Sequence, residues 1–180
     1  MRDCQDTTAS AVQGQVYFSG GAGYLLDGGN AVVLACYFTE RDAQFVQRTL
    51  SEKGIETRIE LRQAGRLSLH RKLTKEAGRV LANADTADVC ARILFDTANG
   101  LERTELSQEE ARAAVKGVVQ SLKGLREENA GKAFERWNLL LTRAERRGKE
   151  IASGILFAKD LRYLQVELCL AVAGAEGYFS

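Results

Sequence analysis

The sequence predicts an α+β fold: a small antiparallel sheet with one or two packed helices, followed by a helical-bundle-like C-terminal half. Three observations predict it. Residues 31–38, Ala-Val-Val-Leu-Ala-Cys-Tyr-Phe, are apolar on both faces, the pattern of a strand central in its sheet. Residues 55–62 alternate instead, with Ile59 and Leu61 on one face and Arg58, Glu60 and Arg62 on the other, as a half-buried strand does. After Lys72 apolar residues recur at helical spacing, and the chain of 180 residues has no proline to interrupt a helix.

The elements follow in order. Residues 1–13 read as a polar N-terminal tail. Residues 16–26 fit two descriptions: a strand by their apolar run, or a helix in which Ser19-Gly20-Gly21-Ala22-Gly23 allows a turn or a close backbone approach. Asp27-Gly28-Gly29-Asn30 reverses the chain. Thr39 caps a helix with Asp42 three residues on; Phe45, Val46, Thr49 and Leu50 form its apolar face, and Gly54 ends it. Gln63-Ala64-Gly65 then turns the chain into a returning strand over 66–70. That register pairs Leu61 with Leu67 and turns Arg58, Glu60, Arg62, Arg66, Ser68 and His70 outward. Helices are expected over 74–84, 85–98, 108–128, 132–147 and 150–173, with a capping box at Ser107-Gln108-Glu109-Glu110 and breaks at Asn129, Gly131 and Gly148. The organisation is a tail (1–13), an α+β unit with a basic hairpin (14–83) and a helical half packed on it (84–180).

Composition narrows the function classes. Net charge is +1, so any pull toward a polyanion must be local. Residues 48–79 supply it, with nine basic against four acidic side chains, whereas residues 80–115 carry three against seven. The four cysteines lack short spacing and fit a reducing compartment better than a disulfide framework. The first eight residues are polar, with no apolar signal core, and the most apolar stretch, 161–172, is too short to span a bilayer. A cytoplasmic protein without membrane contact is expected. One histidine and no paired cysteines argue against zinc, and no Walker lysine follows the glycines at 20–23.

Gly23-Tyr24-Leu25-Leu26-Asp27-Gly28-Gly29 resembles the LAGLIDADG motif. The strand, capped helix, basic hairpin and following helix resemble that family's half-repeat over residues 16–82. The resemblance implies motif helices that pack through small residues and end in an acid binding a divalent metal, with the sheet as a basic saddle on DNA. Its members are homing endonucleases, maturases and transcription regulators that lost cleavage. Leu170 to Phe179 resembles a second motif, with Glu176 as its acid. Here Gly28 stands where the family places its first acid, and Asp27 comes one position early. Asp27 and Glu176 are the metal candidates; magnesium is the cofactor implied if cleavage is retained, and none is expected otherwise.

The leading expectation is a nucleic-acid-binding protein, for DNA or RNA, that uses Arg58, Arg62, Arg66, His70 and Lys72 without a complete catalytic site. The competing description of that face is a solvated surface, or one covered by the acidic helices of residues 80–115. Two further classes stand beside it. One is a protein-interaction or self-associating module acting through the helical half, which an exposed apolar stripe on 132–147 would favour. The other is a metal-dependent nuclease. Arg143, Arg146, Arg147 and Lys149 complement a helix C-terminus, Trp137 reads as core, and Cys36, Cys90 and Cys169 read as inert packing.

Overall fold

A computed structural model describes residues 3–26, 31–62, 74–128 and 135–173. In chain order the elements are α1 (Asp3–Phe18), β1 (Tyr24–Leu25), β2 (Val32–Val33), α2 (Glu40–Glu52), α3 (Thr74–Glu102), α4 (Gln108–Glu128), α5 (Glu135–Ser153) and α6 (Ala158–Ala173). The α+β class and the helical C-terminal half are as the sequence predicts.

The N-terminal unit departs from expectation in three places. Residues 3–18 are helical rather than a tail, and α1 packs on the two strands. Residues 16–26 are neither all helix nor all strand. Gly20 and Gly23, both at positive φ, turn the chain out of α1 and into β1. A Cβ on Gly23 would lie 2.8 Å from the Gln13 carbonyl, so the turn also needs the missing side chain. The strand pairing is short and antiparallel, Tyr24 opposite Val33 and Leu25 opposite Val32. Beyond it residues 34–38 stay outside any ladder, held by helix side chains. Gln165 Nε2 of α6 donates to the Cys36 carbonyl at 2.9 Å, and the rings of Tyr37 and Phe38 meet Phe95 of α3 edge-on.

The third departure concerns the expected hairpin. Residues 55–62 are irregular, not a strand. Alternation makes a strand only where one face can lie on an apolar surface, and here Leu61 is 68% and Ile55 48% exposed. The turn and the return arm, 63–70, lie outside the described residues. Helix α2 has the expected caps: Thr39 Oγ1 accepts from the Asp42 amide at 3.2 Å, and Gly54 at positive φ closes it. No residue of α2 is buried, and Phe45, expected on the inner face, is 65% exposed.

In the helical half α3 packs on α6 and α4, and α4 packs on α5. The expected break at 84–85 is absent, and α3 runs unbroken for 29 residues. The polar residues there bond within the helix: Asn83 donates to the Arg79 carbonyl and Thr86 to that of Ala82. Helix α4 has the predicted bounds and capping box, with Ser107 Oγ accepting from the Glu110 amide and Glu110 Oε2 accepting from the Ser107 amide. Gly148 does not break α5. A Cβ there would sit 2.6 Å from Val119 Cγ2, so this glycine lets α5 approach α4 closely. The break falls at residues 154–157 instead. There Arg112 takes the carbonyls of Ala152 and Gly154, and the Gln108 amide pairs with both the carbonyl and the N–H of Leu156.

Leu94, Leu122, Trp137, Leu141, Leu161, Leu164 and Leu168 fill the core without exposure. Each such side chain contributes about 1.5–3 kcal/mol of burial. The Trp137 indole N–H donates to Asn83 Oδ1 at 3.2 Å, satisfying the core's largest polar handle.

Candidate functional site

Arg58 and Arg62 stand on the lip of a cleft of about 620 Å³. Residues 31–38 form one wall, the Ala43, Val46 and Leu50 face of α2 another, and the C-terminal turns of α6 the floor. The Arg58 side chain is 81% exposed and that of Arg62 45%. Both lean toward Glu60, Arg62 at 2.8 Å and Arg58 at 3.8 Å. Among the described ion pairs neither arginine meets the acidic helices of residues 80–115. Exposed pairs of this kind are worth about 0–1 kcal/mol, so Glu60 is a weak competitor for a phosphate. The larger exposure of Arg58 leaves its guanidinium the more open of the two to solvent.

Other predicted site residues are not brought together. Arg66, His70, Lys72, Asp27 and Glu176 lie outside the described residues. The stretch that the LAGLIDADG resemblance implies to be a helix contains β1 at Tyr24–Leu25. Leu170 to Ala173 closes α6, and the rest of the stretch that resembles a second motif lies outside the described residues. Among the described residues no three His, Cys, Asp or Glu side chains converge where a metal could sit. Arg143, Arg146, Arg147 and Lys149 lie within α5, not at its end. Lys149 bonds the buried carboxylate of Glu145 at 2.5 Å, with Arg126 of α4 on its other oxygen at 3.1 Å.

The cysteines form a feature that the sequence reading missed. Cys36, on the wall, and Cys169, on the floor, both line the cleft, near enough for each thiol to shift the other. The Cys169 contact and the Arg62 guanidinium hold the Cys36 thiol below the usual thiol range despite its burial, while the same contact and burial push Cys169 up. Cys90 is ordinary core by contrast, its thiol pushed up to about 11 by burial. No spacing rule could pair Cys36 with Cys169, because fold topology alone joins them.

A second cleft, of about 630 Å³, lies between α1 and the α5–α6 turn. Tyr17 donates to Asp160 there in a very short bond, and burial with that carboxylate pushes the phenol up to about 12. Lys159 sits over the Tyr17 ring at 4.3 Å, and Arg147 covers the Tyr163 ring at 4.1 Å. Tyr17, Asp160, Lys159 and Arg147 thus face one another or the neighbouring rings.

Compared with known proteins, the chain matches no family model, no curated protein and no solved structure. No helix among the described residues is long and apolar enough to cross a membrane.

Proposed function

We propose that this protein binds a nucleic-acid backbone, of DNA or RNA, through the basic segment that begins at Arg58 and Arg62 and continues in sequence through Arg66, His70 and Lys72. The observation that carries the reading is the pair of exposed guanidinium groups on one cleft lip, with Glu60 as their shared ion-pair partner. They lie within residues 48–79, in which basic side chains outnumber acidic ones nine to four, in a chain of net charge +1. A local field of that kind attracts phosphates and imparts no sequence preference by itself. The reading includes no cleavage step. It places the protein in the cytoplasm, where such polymers are found.

Fluorescence anisotropy with a labelled DNA duplex and a labelled RNA hairpin tests it. The paired change Arg62→Glu with Arg66→Glu should reduce affinity at least tenfold for whichever polymer binds, since it replaces two attractions by two repulsions. Equal affinity in the variant removes the proposal.

A second reading has its own observation. Leu81, Val89 and Ile93 of α3 are 48%, 53% and 38% exposed, and their spacings of eight and four set them on one helix face. On α5, where the sequence analysis looks for such a stripe, Leu139 is the large apolar residue exposed among those described. A partner docking through the helical half would therefore meet α3. Val89→Lys should then abolish association in pull-down or sedimentation while leaving nucleic-acid binding intact.

A further inference from the structure

Gln165 and Cys169 lie one turn apart on α6 and face the same extended segment. Gln165 Nε2 donates to the Cys36 carbonyl at 2.9 Å, and the Cys169 thiol meets the Cys36 thiol one turn further on. The backbone anchor and the sulfur contact are thus successive rungs between α6 and residues 31–38. Both cysteines line the cleft and are part-exposed, whereas Cys90 is buried at 2% exposure away from it.

We infer that Cys36 and Cys169 are a redox-modification site, closing a reversible disulfide when a peroxide enters the cleft. The roles follow from the surroundings. Cys36 has the Cys169 thiol and, more weakly, the Arg62 guanidinium to favour its thiolate, and is the attacking sulfur. Cys169 keeps its proton and is the resolving thiol. The Cys36 thiolate attacks hydrogen peroxide, the O–O bond breaks, and hydroxide leaves, giving the sulfenic acid. The Cys169 sulfur then attacks the Cys36 sulfur, an S–S bond forms, and the S–O bond breaks. The Cys169 proton leaves with that hydroxyl as water. In sum two thiols and one peroxide give one disulfide and two waters, with two electrons passing from sulfur to oxygen. In a reducing compartment the pair rests as dithiol, and oxidation is transient. The bond ties residues 31–38 to α6 and fixes the cleft wall beneath Arg62.

The test uses the full chain, reduced and then treated with one equivalent of hydrogen peroxide. Alkylation, digestion and mass spectrometry should find the Cys36 and Cys169 peptides joined in a monomer, with Cys90 alkylated after denaturation and the link lost in dithiothreitol. Closing so long a loop should raise the thermal midpoint by roughly 5–10 °C. In Cys169→Ser the sulfenic acid on Cys36 should persist and be trapped by dimedone. The inference is overturned if wild-type Cys36 and Cys169 stay as thiols, if either pairs with another cysteine or another chain, or if dimedone labels Cys36 equally with and without Cys169.

Discussion

Arg162 of α6 donates to both carboxylate oxygens of Glu102 in α3, at 2.8 and 2.5 Å, and its guanidinium also reaches the Gly20 carbonyl at 2.8 Å. One side chain, 14% exposed, thus joins the two most extensively packed helices to the turn that launches the N-terminal strands. A planar fork can do this; a lysine cannot hold two carboxylate oxygens and a carbonyl together. Arg162→Met should cost about 1–3 kcal/mol, because it leaves Glu102 and Gly20 without their shared donor. The variant should lose near-native packing first in the N-terminal unit, which hydrogen exchange at residues 16–26 would show.

The same pair sets a pH dependence. The hydrogen bonds from Arg162 hold the Glu102 carboxyl below the usual carboxylate range. A depressed folded value means the stabilisation is present above the unfolded value and is lost as pH falls through the folded one. Chemical denaturation at pH 7 and at about pH 3 should therefore show the penalty of Arg162→Met shrinking at the acid end.

Glu167 has the opposite sign. Burial raises its carboxyl above the usual range; Arg147 stands 4.0 Å away, and Glu167 Oε2 has no hydrogen-bond partner. A raised folded value favours the protonated form in the native state, so stability falls as pH rises from the unfolded value through the folded one. Glu167→Gln removes the ionisation while keeping the shape. Its thermal midpoint at pH 7 should exceed that of the wild type, and the difference should vanish at about pH 4.

Gly148 tests the helix packing. In an exposed helix Gly→Ala stabilises by about 1 kcal/mol, but here the new methyl would overlap Val119 Cγ2. Gly148→Ala should destabilise by about 1–3 kcal/mol, and adding Val119→Ala should recover much of that loss. Urea denaturation of the two single variants and the double variant gives the coupling.

Asn83 tests the buried polar contact. It accepts from the Trp137 indole across α3 and α5. Asn83→Leu should cost about 1–3 kcal/mol by removing an acceptor at a fully buried ring, and the Trp137 emission should shift.

Local chemistry was readable in advance. The bounds of α4, the Thr39 and Ser107 caps and the Gly54 terminator each depend on residues within a turn of one another. What failed depended on tertiary surroundings. Gly148 looks like a break until Val119 stands over it. Residues 55–62 have strand alternation, but among the described residues no apolar surface receives Ile55 and Leu61. The candidate site divides the same way. The arginines of the basic stretch were visible as charge in sequence, whereas the Cys36–Cys169 contact exists because Gln165 draws the extended segment onto α6.

The central claim is that Arg58 and Arg62 meet phosphates, and the salt dependence of binding measures this most directly. Anisotropy titrations of wild type and Arg58→Gln/Arg62→Gln against the same duplex or hairpin, from about 50 to 200 mM salt, give the slope of log affinity against log salt. The slope should be shallower by about 1–2 in the variant, one counterion fewer for each lost contact. Identical slopes, or no salt dependence in the wild type, would contradict it.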